Sequence, residues 1–219
     1  LEDFEYLGMI NEVPMTLIGR STLPANNYAE LVKWLEANKG KINLANAGLG
    51  AASHLCGLLF QQSLQIDMTT VPYKGTAPAM TDLLGGQVDS MCDQTTNTTQ
   101  QIEGGKVKAF AVTTLKPLTT PALAKLPTLD ASGLKGFNVS IWHALYAPKG
   151  TPKAAQDKVN AALRNALKDP EFIKRQIAGD PAEQTEEKVS GSARRSLPRA
   201  RRGGDGLGAL ALTGKHVMH

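Results

Sequence analysis

Ala45-Asn-Ala-Gly-Leu-Gly-Ala-Ala-Ser-His-Leu55 decides how this sequence is read. It follows a short β-like run at about residues 42–46 and leads into an apolar-periodic run at about 51–63, so its glycines fall where a strand turns into a helix. The same alternation continues downstream. A strand near 68–72 precedes a helix that opens at Thr76-Ala-Pro78 and stops at Gly85-Gly86, followed by a strand near 88–92, a helix near 96–103 and a strand at 107–113. Upstream, Asn27 with Glu30 three residues on forms a capping box, and Leu31, Trp34 and Leu35 repeat at helical spacing until Gly40. Later, Thr151-Pro152 caps an amphipathic helix with Val159, Leu163, Ala166 and Leu167 on one stripe, and Asp169-Pro170 starts another that closes at Gly179. Such an order predicts an α/β fold with a mainly parallel sheet covered by helices. Ligands of such sheets gather beyond the carboxyl ends of the strands, here residues 46–54, 73–76 and 93–98.

The bulk properties narrow the function classes. At 219 residues and 42% apolar content the chain has the material for one large domain or two modest lobes. Its net charge of +4 suggests nucleic acid until the charge is located. Residues 189–219 hold five arginines, one lysine and one aspartate, a net +5 that leaves −1 for the rest. That near-neutral body argues against a nucleic-acid surface, and the aperiodic 189–219 segment reads as a disordered basic tail. No apolar run reaches the ~18 to 20 residues of a membrane span. Cys56 and Cys92 permit a single disulfide but have no metal or redox spacing, and the blander reading is two small buried hydrophobes. Starting at Leu1 without a methionine, the sequence is expected to be processed or cut from something longer.

The glycine stretch resembles a dinucleotide fingerprint without completing it. Ser53 stands where the third glycine belongs, and an acidic ribose partner about 20 residues on is missing. What remains is a bendable backbone feeding a helix N-terminus, whose unpaired amides carry about half a positive charge and suit a carboxylate. Ser53 adds a hydroxyl donor and His54 a ring donor, although both also read as capping or packing residues. Catalytic signatures are missing: there is no nucleophile elbow, zinc motif or phosphate loop, and the four histidines do not cluster. Asp82 and Asp89 flank the Gly85-Gly86 turn and read as solvated or capping groups. Binding without chemistry, cofactor or metal is the expectation. An enzyme using the glycine loop for a nucleotide is the alternative from another class, and a non-functional fragment is a third.

Three further stretches carry a resemblance. Val71-Pro-Tyr-Lys-Gly-Thr-Ala-Pro-Ala79, Asp82-Leu-Leu-Gly-Gly-Gln-Val-Asp89 and Trp142-His-Ala-Leu-Tyr-Ala-Pro-Lys-Gly-Thr-Pro152, together with the glycine stretch, resemble the Bug (TctC-like) family over about residues 1–188. That family comprises the extracytoplasmic solute-binding proteins of tripartite tricarboxylate transporters. The resemblance implies a type II periplasmic-binding-protein-like fold of two lobes, a periplasmic location, a small carboxylate or acidic amino acid as ligand, and permease subunits as partners. The first lobe, with its proline- and glycine-rich carboxylate loop, is not found in this sequence. The resemblance therefore divides the chain into a crossover segment from that lobe (1–20), the second α/β lobe (21–140), a return crossover with helices packing on the first lobe (141–188), and the tail (189–219). Carried onto matching positions, the ligand contacts are Gly48, Gly50, Ala51, Ser53, His54, Tyr73, Gly75, Asp93, Thr95, Thr96 and Asn97. Asp93 would face a ligand ammonium, Lys74 reads as a solvated charge, and Trp142 as a packing residue near the hinge.

Overall fold

A computed structural model describes residues 2–172 of the chain. The elements run β1 (Phe4–Arg20), α1 (Tyr28–Ala37), β2 (Asn43–Asn46), α2 (Ala52–Leu64), β3 (Thr69–Pro72), α3 (Thr76–Leu84), β4 (Ser90–Gln94), α4 (Thr95–Glu103), β5 (Val107–Val112), β6 (Ser140–Pro148) and α5 (Lys153–Ala166). The expected helix end at Gly179 and the 189–219 tail lie outside the described residues. From α1 to β5 every expected element is present, with boundaries displaced by a residue or two.

The sheet has the order β3-β2-β4-β1-β5. β2 is parallel to β3 and β4, whereas β1 is antiparallel to both of its neighbours, β4 and β5. Four strands thus share one direction and a single strand from elsewhere in the chain runs against them. Side chains alternate cleanly between two cores. Leu17, Leu44 and Cys92 pack with Leu31 and Leu35 of α1 and with Phe60 of α2, while their neighbours Ile18, Ala45 and Met91 pack with Met80 and Leu83 of α3 on the opposite face. A strand covered on both faces needs a continuous apolar run, and β1 has one from Val13 to Ile18, broken by Pro14 and Thr16.

β1 is too long for one sheet. Its first part, through Pro14, pairs with β6 as an antiparallel ribbon, and from Met15 it pairs with β4 and β5. Proline has no N–H to give to a ladder, which suits the position where the strand exchanges partners. Thr113 ties the junction together: its hydroxyl oxygen accepts from the Met15 amide at 3.1 Å, and the hydroxyl lies 2.5 Å from the Val139 carbonyl just ahead of β6. α5 rests on the ribbon through Leu163. A Cβ on Gly8 would come within 2.7 Å of the Leu163 side chain, so the helix sits close on the ribbon here and a larger residue would push the Leu163 methyl aside.

Three expectations need correcting. Cys56 and Cys92 are not separate thiols: they form a disulfide between α2 and β4, with Cα atoms 6.0 Å apart, because residues 36 apart in sequence are brought together when α2 packs across β4. Asp82 and Asp89 are not simply solvated. Asp89 receives the Arg20 guanidinium at 3.0 Å and the Asn43 amide at 2.9 Å, and Asp82 receives the Tyr73 hydroxyl. Nor does Thr151 cap α5, since its hydroxyl donates back to the Pro148 carbonyl and Pro152 takes the cap position with no side-chain bond.

Candidate functional site

The sheet order places the ends of β3, β2 and β4 side by side, and each is followed at once by a helix. None of α2, α3 and α4 has a side-chain bond at its N-cap, where Ala51, Gly75 and Gln94 stand. The contrast with α1 is informative. There Asn27 Oδ1 accepts from the Glu30 amide at 2.9 Å while Glu30 returns a bond to the Asn26 amide at 2.8 Å, so that helix start is sealed. Three helix starts at one edge of the sheet instead leave first-turn amides without a capping side chain, and their partial positive charges add in one place.

The loops carrying these helix starts are bonded to one another. The Tyr73 and Gly75 amides donate to the Asn46 and Ala47 carbonyls at 2.9 and 3.0 Å. Gly48, at φ +130°, lies so close to this neighbour that a Cβ would stand 3.1 Å from the Tyr73 carbonyl oxygen, which makes it a position for glycine on both counts. Farther along, the Thr76 hydroxyl on α3 lies near the Asp93 carboxyl at the end of β4 and helps hold its negative charge. The positions singled out along the sequence, Gly48, Gly50, Ala51, Ser53, His54, Tyr73, Gly75, Asp93, Thr95, Thr96 and Asn97, lie in the loops before α2 and α3, in the first turns of α2 and α4, and near the end of β4.

Their atoms are not all available. Ser53 is buried and its Oγ accepts from the Ala47 amide at 2.9 Å, which leaves its O–H as the remaining donor. His54 Nδ1 accepts from the Gly50 amide at 3.0 Å, so a neutral ring carries its proton on Nε2. Both side chains shape the glycine loop first. Tyr73 donates its hydroxyl to Asp82 Oδ2 at 2.6 Å, and that bond, with burial and the Asp82 charge, pushes its pKa up to about 12. Its backbone lies at the site while its hydroxyl is committed to α3. Asn97 is exposed and Thr96 half-buried, whereas Thr95 is buried with no partner on its Oγ1.

Asp93 is the site carboxyl whose pKa is shifted. Burial raises its carboxyl pKa, and bonds from the Gln94 amide, Thr76 and Asn97 pull it partly back. Oδ1 takes the Gln94 amide at 2.7 Å, while Oδ2 is buried without a hydrogen-bond partner, the Thr76 hydroxyl being close without making a well-formed bond to it.

Three contributors lie outside the residues chosen as contacts, although Asn46 and Thr76 fall within the strand-end stretches 46–54 and 73–76. Asn46 ends β2, is buried, and accepts from the Gly48 amide at 2.9 Å, bending the loop that follows. Thr16 on β1 lies opposite Asp93 in the ladder, and its hydroxyl bonds that of Thr98 on α4 at 2.6 Å. Thr76 supports Asp93 as described. A lone polar residue inside the apolar run Val13–Ile18 is a readable signal for Thr16, and an asparagine ending a buried strand is one for Asn46. Among the described residues no group of three His, Cys, Asp or Glu side chains is arranged to hold a metal ion.

The comparisons with known proteins bear on the family and the fold. The family profile described as "Tripartite tricarboxylate transporter family receptor" matches residues 1–189. A protein of Agrobacterium vitis, the UPF0065 protein in the TAR-I ttuE-ttuC' intergenic region, is 50% identical over 175 residues, covering 80% of this chain and 50% of its own. The solved periplasmic binding protein BugD is 58% identical with a TM-score of 0.75, covering 79% of this chain and 57% of that one. MatC from Rhodopseudomonas palustris, solved with bound malate, is 36% identical with a TM-score of 0.74, covering 80% and 60%. The chain thus spans about half the length of the curated relatives it matches. An α/β sheet of this order, with open helix starts at its strand ends, and a family match over most of the sequence lead to one statement: the chain belongs to the tripartite tricarboxylate transporter receptor family, a family of periplasmic solute-binding proteins.

Proposed function

We propose that this chain forms one side of an extracytoplasmic binding site that captures a small carboxylate or an acidic amino acid and delivers it to a tripartite tricarboxylate transporter in the periplasm, without catalysing any reaction. The observation that carries this reading is the meeting of three uncapped helix starts at one edge of the sheet. Backbone amides bind an anion without a positively charged side chain, and the oxygen-rich loops around them suit a carboxylate. The malate in MatC supports the ligand class. Gly48, Gly50, Ala51, Ser53, His54, Tyr73, Gly75, Asp93, Thr95, Thr96 and Asn97 are the proposed contacts or their immediate supports.

The domain division follows the same logic. We assign residues 21–140 to the helix-covered lobe and residues 1–20 and 141–188 to the two crossover segments, of which Met15–Arg20 enter the lobe's sheet, and the β1–β6 ribbon presents Phe4, Tyr6 and Tyr146 to solvent with Tyr6 and Tyr146 rings 5.6 Å apart. We assign that aromatic face to packing against the share of the relatives' length that this chain does not match. Two faces closing on one ligand also fits the energetics. Micromolar capture needs about 8 kcal/mol, and each charge-assisted hydrogen bond contributes only about 1.5 to 3 kcal/mol.

The test is a ligand titration followed by NMR, with malate, succinate and glutamate at millimolar concentrations and ATP and NAD as contrasting probes. Amide shifts confined to residues 47–54, 73–76 and 93–98 with the carboxylates are expected, and they should weaken in Ser53→Ala and Thr96→Ala. A response to ATP or NAD with none to the carboxylates would replace this reading with a nucleotide-binding one.

A further inference from the structure

Asp93 ends β4 between two helix starts. Thr76, the first residue of α3, lies near its carboxyl, and α4 begins two residues after it. Only 2% of the residue is exposed, and its Oδ2 has no hydrogen-bond partner. Thr95 Oγ1, two residues on, is also buried and unpartnered. A carboxylate in such a place normally faces a cation.

The charged and titratable side chains on the elements packed around β4 are engaged elsewhere. On α2, His54 Nδ1 accepts from the Gly50 amide; on α3, Asp82 accepts from Tyr73; on α4, Glu103 stands at the far end of the helix. On β1, Arg20 pairs with Asp89 at the opposite end of β4, and Glu12 accepts from Ser140 on the ribbon. β2 contributes none. Asp93 is thus a buried acid with no opposing charge, set at the place where the helix starts favour an anion.

We propose that Asp93 takes up a proton from solvent when a carboxylate docks on these helix starts, so that capture tightens as pH falls; the inference rests on the carboxylate-binding reading above. Two negative charges in one desolvated site oppose each other, and the arriving charge favours the neutral acid. The step is simple in its balance: one proton joins Asp93 Oδ2 and no other bond changes. The new O–H gives Oδ2 the hydrogen it needs to bond a neighbouring oxygen. Burial already pushes this carboxyl in the required direction before any ligand arrives. Because the coupling is reciprocal, ligand binding raises the pH at which Asp93 protonates and protonation raises the affinity by the same factor.

The experiment uses the full chain with malate as the probe, at pH values above about 6 where malate's own carboxyl groups remain ionised. The carboxyl ¹³C resonance of Asp93 is followed through a pH titration with and without saturating malate, and calorimetry is run in buffers of different ionisation heat. Saturation should move the Asp93 midpoint upward, and the association constant should rise as pH falls by up to about tenfold per pH unit, the limit for one linked proton. Asp93→Asn should bind malate with a flat pH profile, while His54→Gln should keep the slope. An Asp93 midpoint unmoved at saturation, or an unchanged slope in Asp93→Asn, overturns the inference and leaves the carboxylate reading standing. No response to malate at all counts against both.

Discussion

At the scale of single residues, the site depends on positions that permit little exchange. Gly48 combines φ +130° with a carbonyl 3.1 Å from where a Cβ would sit. Gly48→Ala should therefore cost about 1–3 kcal/mol, the usual range for a side chain forced into such backbone, seen as a lower melting temperature and a lost amide response to malate. Asp93 gives the opposite sign. Its native pKa lies above the ordinary value of 3.8, so its ionised form penalises the fold as pH rises through the native value, and the penalty fades as pH falls toward the unfolded one. Asp93→Asn should raise the melting temperature at neutral pH. The gain should vanish near pH 4 in a pH series of thermal melts. The sequence made the candidate positions legible, because glycines and hydroxyl residues cluster just after each strand. It did not show which atoms are already occupied. That Ser53 serves the Ala47 amide and Tyr73 serves Asp82 depends on loop curvature that no spacing rule reports.

At the scale of elements, helix and strand identity followed from local chemistry wherever both ends carried a signal. The Asn27/Glu30 box fixed the start of α1, and Asn27→Ala should destabilise the chain by about 1 kcal/mol in chemical denaturation. Long-range pairing was less legible. β1 gave no periodic signature over 17 residues, because its ribbon half is exposed on one side while its sheet half is buried on both. The disulfide belongs to the same class, since Cys56 and Cys92 meet only after α2 has packed on β4. It joins the helix that starts at the glycine loop to the strand that ends at Asp93. Replacing both cysteines with alanine should cost about 2–4 kcal/mol, checked by comparing denaturation midpoints of the native chain, the reduced chain and the variant; no difference among the three would show that the bond adds nothing.

At the scale of the molecule, the described residues form a well-packed lobe and a less covered ribbon. Leu163 is the one buried residue of α5, and Phe4 is 57% exposed beside Tyr6 and Tyr146. Tyr146→Ser should reduce the fluorescence of a dye that reports apolar surface while shifting the melting temperature little, because the ring is 36% exposed already. For the same reason of incomplete coverage, malate should bind this chain no tighter than the millimolar range. Micromolar affinity in a calorimetric titration would mean that one lobe is enough. Composition and alternation revealed the lobe, whereas the ribbon's exposed face stayed hidden because aromatic residues there read as ordinary core.

β1 also bears on how the chain reaches its fold. It bonds with partners far downstream: Thr16 reaches Asp93 at a separation of 77 residues, Met15 reaches Thr113 at 98, and Asn11 reaches His143 at 132. An interior strand of the sheet must therefore wait for segments far downstream before either of its edges is paired. Loop closure over such distances slows folding, and an unpaired apolar strand exposed meanwhile is a target for aggregation. The segment that unites sheet and ribbon in the finished molecule is thus also the one most in need of shelter as the nascent chain emerges.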